Sequence, residues 1–167
     1  MRNRVQKYVA VPPETVFDYL AEPLNQPDWM EVVSSVDLSE DEPVEVGTRF
    51  KHTVDITGRG SREMGLEVTD LIENEVFEYS QIDGPYPLKT RYTLGPAGSG
   101  TLVVAIEESS PPGIYYKIMH PLVKWAVNRR LSGDLADLKT QIEFSLESTG
   151  DEESESWLKR RLRGLRG

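Results

Sequence analysis

Six successive segments between residues 32 and 108 alternate apolar and polar side chains, and only a few residues separate each segment from the next. A period of two is typical of strands that have one buried face. The links contain turn residues such as Gly58, Asn74 and Gly95, and they are too short to hold a crossover helix. Neighbouring strands are therefore expected to pair antiparallel. The predicted strands are residues 32–39, 48–57, 61–71, 76–82, 88–94 and 101–108.

A further strand and two short helices are predicted before this run of strands. Residues 4–11 alternate in the same way, and Pro12 and Pro13 end the strand. Pro13 is well placed in the first turn of a helix, and apolar residues follow it at helical spacing. Residues 22–29 contain two prolines, so they can hold only a second short helical piece that ends at Trp29.

The pattern changes after Gly113, where apolar residues recur every three or four positions, as in an amphipathic helix. These residues are Tyr115, Met119, Leu122, Ala126, Leu131, Leu135, Leu138 and Ile142. The sequence therefore predicts an α+β domain with seven antiparallel strands, two short helices after the first strand, and one long C-terminal helix.

Residues 148–167 differ in composition from the rest of the chain. Residues 148–156 are rich in Ser and Glu, whereas residues 157–167 carry five cations and no acid. We therefore predict one domain at residues 1–147 and a disordered tail at residues 148–167, which is an acidic linker followed by a basic amphipathic segment. Residues 157–166 could make weak contact with an anionic membrane surface, or they could serve only solubility.

Composition excludes several classes of protein. The chain has no cysteine, so disulfides and thiolate-bound metals are ruled out, and its two histidines are far apart in sequence. A net charge of −9 opposes nucleic-acid binding. We find no signal peptide and no stretch of about 20 apolar residues. We expect an acidic cytoplasmic protein that has no metal and no cofactor.

Five short motifs carry a family resemblance. They are VPPETVFDYL at residues 11–20, PDW at 27–29, VGTRF at 46–50, GT at 100–101 and DLADLK at 134–139. Together they resemble the SRPBCC (START/Bet v 1-like) superfamily, and within it the polyketide cyclase/dehydrase and lipid-transport group. The resemblance covers residues 4–146. It implies a helix-grip (Bet v 1-like) fold, in which a curved seven-stranded sheet wraps around the long helix and encloses a hydrophobic cavity.

The alternation also predicts which side chains face such a cavity, because residues of one parity on each strand point inward. His52, Tyr79 and Tyr92 are polar members of this inward set, and on the strand at 101–108 the even-numbered residues, including Glu108, are expected inside. A packed core would have the same composition. The predicted ligand-binding residues are Phe50, His52, Val54, Met64, Leu66, Phe77, Tyr79, Tyr92, Leu94, Val104, Ile106, Tyr115, Met119 and His120.

These features favour binding or transport of a small hydrophobic molecule that is lipid-, isoprenoid- or polyketide-like. The first alternative is a metal-free polyketide cyclase/aromatase or dehydratase in which His52, Tyr79 and Tyr92 act as acids or bases. Each of the three could equally be a structural, hydrogen-bonded core residue. The second alternative is an interaction module that uses the basic tail at a membrane surface or on a protein. The sequence contains no nucleophile triad and no phosphate loop, which favours binding.

Overall fold

The computed structural model describes residues 1–39, 43–56, 60–84, 86–110 and 113–164; the side chains of residues 56, 114–118 and 147–164 are not described. Helix α1 (Pro13–Leu20) and a 3-10 helix (Pro23–Asp28) follow the first strand, and helix α2 (Ile114–Gly164) follows the last. The predicted order of elements is confirmed. The strands are β1 (Arg2–Val9), β2 (Val33–Leu38), β3 (Arg49–Ile56), β4 (Gly60–Ile72), β5 (Val76–Asp83), β6 (Leu88–Ala97) and β7 (Gly100–Ser109).

All seven of these strands form one antiparallel sheet in the order β1-β7-β6-β5-β4-β3-β2. Strands β2 to β7 pair with their neighbours in sequence, whereas β1 pairs with β7 from Arg2 opposite Glu108 to Val9 opposite Thr101. Strand β4 shifts register against β5 in two places, at Gly65/Leu66 and at Val68/Asp70. Such bulges increase bending, which suits a sheet that curves around a helix. The predicted helix-grip architecture is confirmed.

The chain leaves β1 through a short helix that covers one end of the sheet. Pro12 is the N-cap residue of α1, and Pro13 occupies the first turn, where a missing N–H costs nothing. Val16, Phe17 and Leu20 form the buried face of this helix. After the 3-10 helix, Trp29 is almost fully buried and contacts the ring of Tyr92 edge to face, with the centroids 5.8 Å apart.

Strand β7 presents its odd-numbered residues to the interior, so the predicted inward set on this strand is wrong. Val103 and Ala105 are fully buried and Glu107 nearly so, while Val104 and Ile106 are half-buried on the opposite face. Both faces of β7 are apolar, and the even-numbered face has the larger side chains, so alternation alone does not identify the buried face. Ile106 lies opposite Arg4 and Arg91 on the neighbouring strands, and their aliphatic stems can shield it from water.

Helix α2 packs on the concave face of the sheet through a stripe of leucines and one isoleucine, as the spacing predicts. Leu131, Leu135, Leu138 and Ile142 are buried. The helical backbone continues to Gly164, whereas we expected the ordered domain to end near residue 147. The side chains of residues 147–164 lie outside the described part, so the division of the chain into domain and tail stays a prediction.

The turn between β6 and β7 holds a glycine that no larger residue can replace without displacing its neighbours. A Cβ atom at Gly100 would lie 2.4 Å from the carbonyl oxygen of Val9 and 2.6 Å from the hydroxyl oxygen of Tyr8. Gly95 lies on β6 with open space around the corresponding position. The close approach of β1 to β7 therefore requires glycine at position 100.

We expect Gly100→Ala to destabilise the domain by about 1–3 kcal/mol, because the added methyl group pushes β1 away from β7. The matched control is Gly95→Ala, for which a change within about 0.5 kcal/mol is expected. Urea unfolding followed by circular dichroism measures both. Equal stability of the two variants would contradict the close approach at Gly100.

Candidate functional site

A cavity of about 400 Å³ lies between the concave face of the sheet and helix α2. Most of its wall is aliphatic or aromatic. One end is polar, where Thr90, Tyr92, Glu107 and Arg130 meet. Ligand sites in proteins typically have this combination of apolar walls and a few polar groups, and a volume in the range of about 300–1,000 Å³.

His52 stands on the cavity wall, and its imidazole is held by a buried glutamine. Its Nε2 atom lies within hydrogen-bond distance of Oε1 of Gln26, a residue from the 3-10 helix that is fully buried. Because an amide oxygen only accepts, the imidazole donates its Nε2–H. Burial lowers the pKa of His52 to about 4. At neutral pH this histidine is therefore uncharged, and its Nε2 proton is already engaged.

Two tyrosines continue the wall beside His52. The ring centroids of His52 and Tyr79 are 6.0 Å apart, and those of Tyr79 and Tyr92 are 6.4 Å apart. Burial raises the pKa of Tyr79 to about 12. The pKa of Tyr92 is raised well above its usual value, first by burial and then by the neighbouring Tyr79 and Asp134. Both hydroxyls stay protonated, so neither can act as a base near neutral pH. The two hydroxyls also hydrogen-bond to each other, and Thr90 is a further partner of Tyr79.

The polar end of the cavity contains a buried network of one cation and two acids. The Arg130 guanidinium on α2 bonds to Glu107 on β7 through NH2, and its NH1 lies 3.4 Å from Oδ2 of Asp134. Asp134 Oδ1 also accepts from the backbone N–H of Glu31, at 3.0 Å. Burial raises the pKa of Asp134 to about 6, although Arg130 and the Glu31 N–H oppose this shift.

The structure brings six of the predicted binding residues to the cavity wall: His52, Val54, Met64, Leu66, Tyr79 and Tyr92. The three predicted acid/base candidates are thus neighbours on one wall. Whether any of these side chains binds a ligand stays a prediction.

The other predicted residues are placed elsewhere. Phe50, Phe77 and Leu94 are buried in the core on the same face of the sheet and do not line the cavity. Val104 and Ile106 are on the outer side of β7, for the reason given above, and Glu108 is exposed there. Met119 is half-buried and His120 exposed, and neither lines the cavity. The side chain of Tyr115 lies outside the described residues.

Sequence reasoning missed the charged residues of the site. Asp134 lies three positions after Leu131 and one before Leu135, so it belongs to the buried side of the helix, a signal that could have been used. Arg130 could have been found as its partner four residues earlier. The remaining wall residues that were not predicted as binding residues are Met30, Val32, Val33, Asp55, Tyr86, Leu88, Thr90, Glu107, Val127 and Leu131.

We also searched the described residues for a second pocket, for a metal-binding group and for a membrane-spanning helix. A depression of about 450 Å³ at the edge of the sheet is lined by polar and charged residues such as Glu45, Arg49 and Glu67, and it is separate from the aromatic wall. Within the described ranges, no group of three or more His, Cys, Asp or Glu could hold a metal. In the same ranges, no helix is both long and apolar enough to cross a membrane. The cytoplasmic location stays a prediction.

The curved antiparallel sheet, the long C-terminal helix and the cavity between them define a START/Bet v 1-like protein of the SRPBCC type. The chain belongs to the family described as polyketide cyclase / dehydrase and lipid transport, whose model matches residues 2–143. The predicted family is confirmed. A search of curated proteins finds no match.

Solved structures agree on the fold. The protein TTHA0849 from Thermus thermophilus is 17% identical, with a TM-score of 0.75 over 87% of this chain and 99% of that one. A START superfamily protein from Mycobacterium smegmatis is 18% identical, with a TM-score of 0.69 over 85% of this chain and 97% of that one. The di-domain ARO/CYC StfQ of the steffimycin biosynthetic pathway is 14% identical, with a TM-score of 0.72 over 87% and 51% of the two chains. At these identities the likeness establishes the fold alone.

The low pKa of His52 predicts a specific loss of stability in acid. The imidazole takes up a proton near pH 6.5 in the unfolded chain but only near pH 4 in the folded protein, so the free energy of unfolding falls as pH drops through this window. We expect His52→Gln to remove on the order of 2–3 kcal/mol of that fall. Unfolding in urea at several pH values between 4 and 7 measures it.

Two comparisons isolate this effect. The raised pKa of Asp134 acts in the opposite sense, stabilising the fold as pH falls from about 6 towards 3.8, so His52→Gln must be compared with the wild type at each pH. His120→Gln removes an exposed imidazole and serves as the matched control. Parallel stability curves for wild type and His52→Gln would contradict a buried neutral histidine.

Proposed function

We propose that this protein binds and carries a small hydrophobic molecule in the cavity between the sheet and helix α2. The observation that supports this most directly is the cavity of about 400 Å³, whose wall is mainly apolar and aromatic. Family membership supports the same function, because the family description includes lipid transport.

The chemistry of the wall favours carrying over catalysis. General acid-base catalysis needs groups whose pKa values lie near the working pH. Here the pKa of His52 is about 4 and that of Tyr79 about 12, and both are displaced from neutrality by burial. The wall therefore offers hydrogen-bond donors that can orient a ligand and lacks a protonated imidazole that could serve as an acid.

A cyclase/aromatase or dehydratase activity is the second candidate. It is supported by the adjacency of His52, Tyr79 and Tyr92 on one wall. It is also supported by the likeness in fold to StfQ, whose name identifies it as an ARO/CYC protein. Such an enzyme would use the tyrosine hydroxyls as hydrogen-bond donors to a substrate carbonyl and His52 Nδ1 as its base. The membrane or protein contact through residues 157–166 stays a prediction.

We expect the protein purified from its expression host to retain an apolar molecule. Native mass spectrometry should give a mass above that of the chain, and organic extraction should release the bound compound for identification. If the protein is a carrier, the compound that is released after incubation should have the same mass as the compound that was bound. If the protein is a cyclase or dehydratase, the mass of the released compound should change, which would indicate turnover. A protein that neither retains an apolar molecule nor takes up any apolar probe would contradict the proposed function.

Filling the cavity should reduce binding without unfolding the domain. Met64 lies on the wall and is half-buried, so Met64→Trp places a large ring inside the cavity. The matched control is Glu63→Trp, because Glu63 is the adjacent residue on β4 and its side chain is exposed to solvent. Titration with N-phenyl-1-naphthylamine, a neutral fluorescent probe, should show affinity reduced by about tenfold or more in Met64→Trp and unchanged in Glu63→Trp. Equal losses in both variants would contradict binding at this wall.

A further inference from the structure

Arg130 is the single cation among the described residues that line the cavity. It lies at the polar end, on the helix side, with about a quarter of its side chain exposed. An arginine at the end of an apolar cavity would ordinarily indicate a site for a carboxylate or phosphate group, because the guanidinium fork matches such anions. The identity of its partners decides whether this arginine can have that role.

The charge of Arg130 is already matched within the protein. The carboxylate of Glu107 bonds to its NH2 atom, and Oδ2 of Asp134 lies 3.4 Å from its NH1 atom. Both acids are almost fully buried, so solvent screens these interactions little. When both carboxylates are ionised, the cluster holds one more negative charge than positive charge.

An anionic ligand would therefore meet a surplus of negative charge at the polar end. It would have to displace a buried carboxylate from Arg130 or stay beside Glu107, and like charges placed together in a desolvated site repel each other strongly. A neutral ligand meets no such penalty. It can still accept a hydrogen bond from the guanidinium, which has five N–H groups and uses only part of them on the two acids.

We propose that the cavity selects neutral hydrophobic molecules and excludes anionic ones such as free fatty acids, and that Glu107 sets this selectivity by neutralising Arg130. This inference rests on the proposed ligand-binding function. Glu107 acts through Arg130, so its replacement should change the preference of the cavity between anionic and neutral molecules.

Two probes of nearly the same shape test the selectivity. N-phenyl-1-naphthylamine is neutral, and 8-anilinonaphthalene-1-sulfonate carries the same rings with one added sulfonate. At pH 8, which is above the pKa of about 6 of Asp134, we expect the wild type to bind the neutral probe at least about tenfold more tightly than the anion. Displacement of the neutral probe should follow the same order, with 1-decanol effective and decanoate weak.

The variant Glu107→Gln keeps the size of the side chain and removes the surplus negative charge, leaving Arg130 paired with Asp134 alone. We expect the ratio of its sulfonate affinity to its neutral-probe affinity to be about tenfold higher than in the wild type. The matched control is Glu108→Gln, which removes the same charge from the next residue on the outer face of β7. Adding Arg130→Gln to Glu107→Gln should abolish the gain. Thermal unfolding confirms that each variant is folded.

The outcomes separate the two proposals. If the wild type binds both probes equally well, or binds the sulfonate more tightly, the charge selectivity is overturned and the carrier function stands. If Glu107→Gln and Glu108→Gln behave alike, the role of Glu107 is overturned. If the wild type binds neither probe and retains no apolar molecule, the carrier function fails, and the selectivity fails with it. If it binds neither probe because it retains an apolar molecule, a neutral released compound supports the selectivity and an anionic one overturns it. The wild-type comparison needs no variant, so it decides the selectivity even if Glu107→Gln does not fold.

Discussion

The position at which the buried apolar stripe of helix α2 begins determines where the cavity lies in this structure. From Leu131 to Ile142 the helix carries buried aliphatic residues that fill the space against the sheet. Before Leu131 the helix contributes Val127 and Arg130 to the cavity wall, while Leu122 and Trp125 are exposed. One half of the concave face is therefore filled by packing, and the other half borders the cavity. The cavity exists because the two halves of the helix differ in this way.

Most polar groups of the interior keep one protonation state near neutral pH; Asp134, whose pKa is about 6, is the exception. The imidazole of His52 is neutral and held by Gln26, and the phenols of Tyr79 and Tyr92 are held in their protonated form. Arg130 keeps its charge because two carboxylates accompany it. An interior of this kind presents fixed dipoles to a guest molecule, and fixed dipoles orient a ligand at little cost in reorganisation.

The sequence predicted the elements of this fold more accurately than the contents of its site. Strong alternation predicted the ends of the strands to within about three residues. Pro13 marked the start of α1, and the apolar spacing from Leu131 to Ile142 located α2. The parity of β7 was predicted wrongly because both of its faces are apolar, and this error hid Glu107. Pairing between Glu107 and Arg130 depends on how α2 crosses β7, which local periodicity does not encode.

The sheet order β1-β7-β6-β5-β4-β3-β2 also bears on how the chain reaches this state. Strands β2 to β7 can form by successive closure of short hairpin loops, which is fast and needs no distant segment. Strand β1 has no partner until β7 exists, because its hydrogen bonds join residues near opposite ends of the domain. During synthesis on the ribosome, β1 therefore emerges first and pairs last. Arg2, Arg4 and Lys7 place positive charge along β1 while this strand is still unpaired. Charged strand edges resist pairing with other chains.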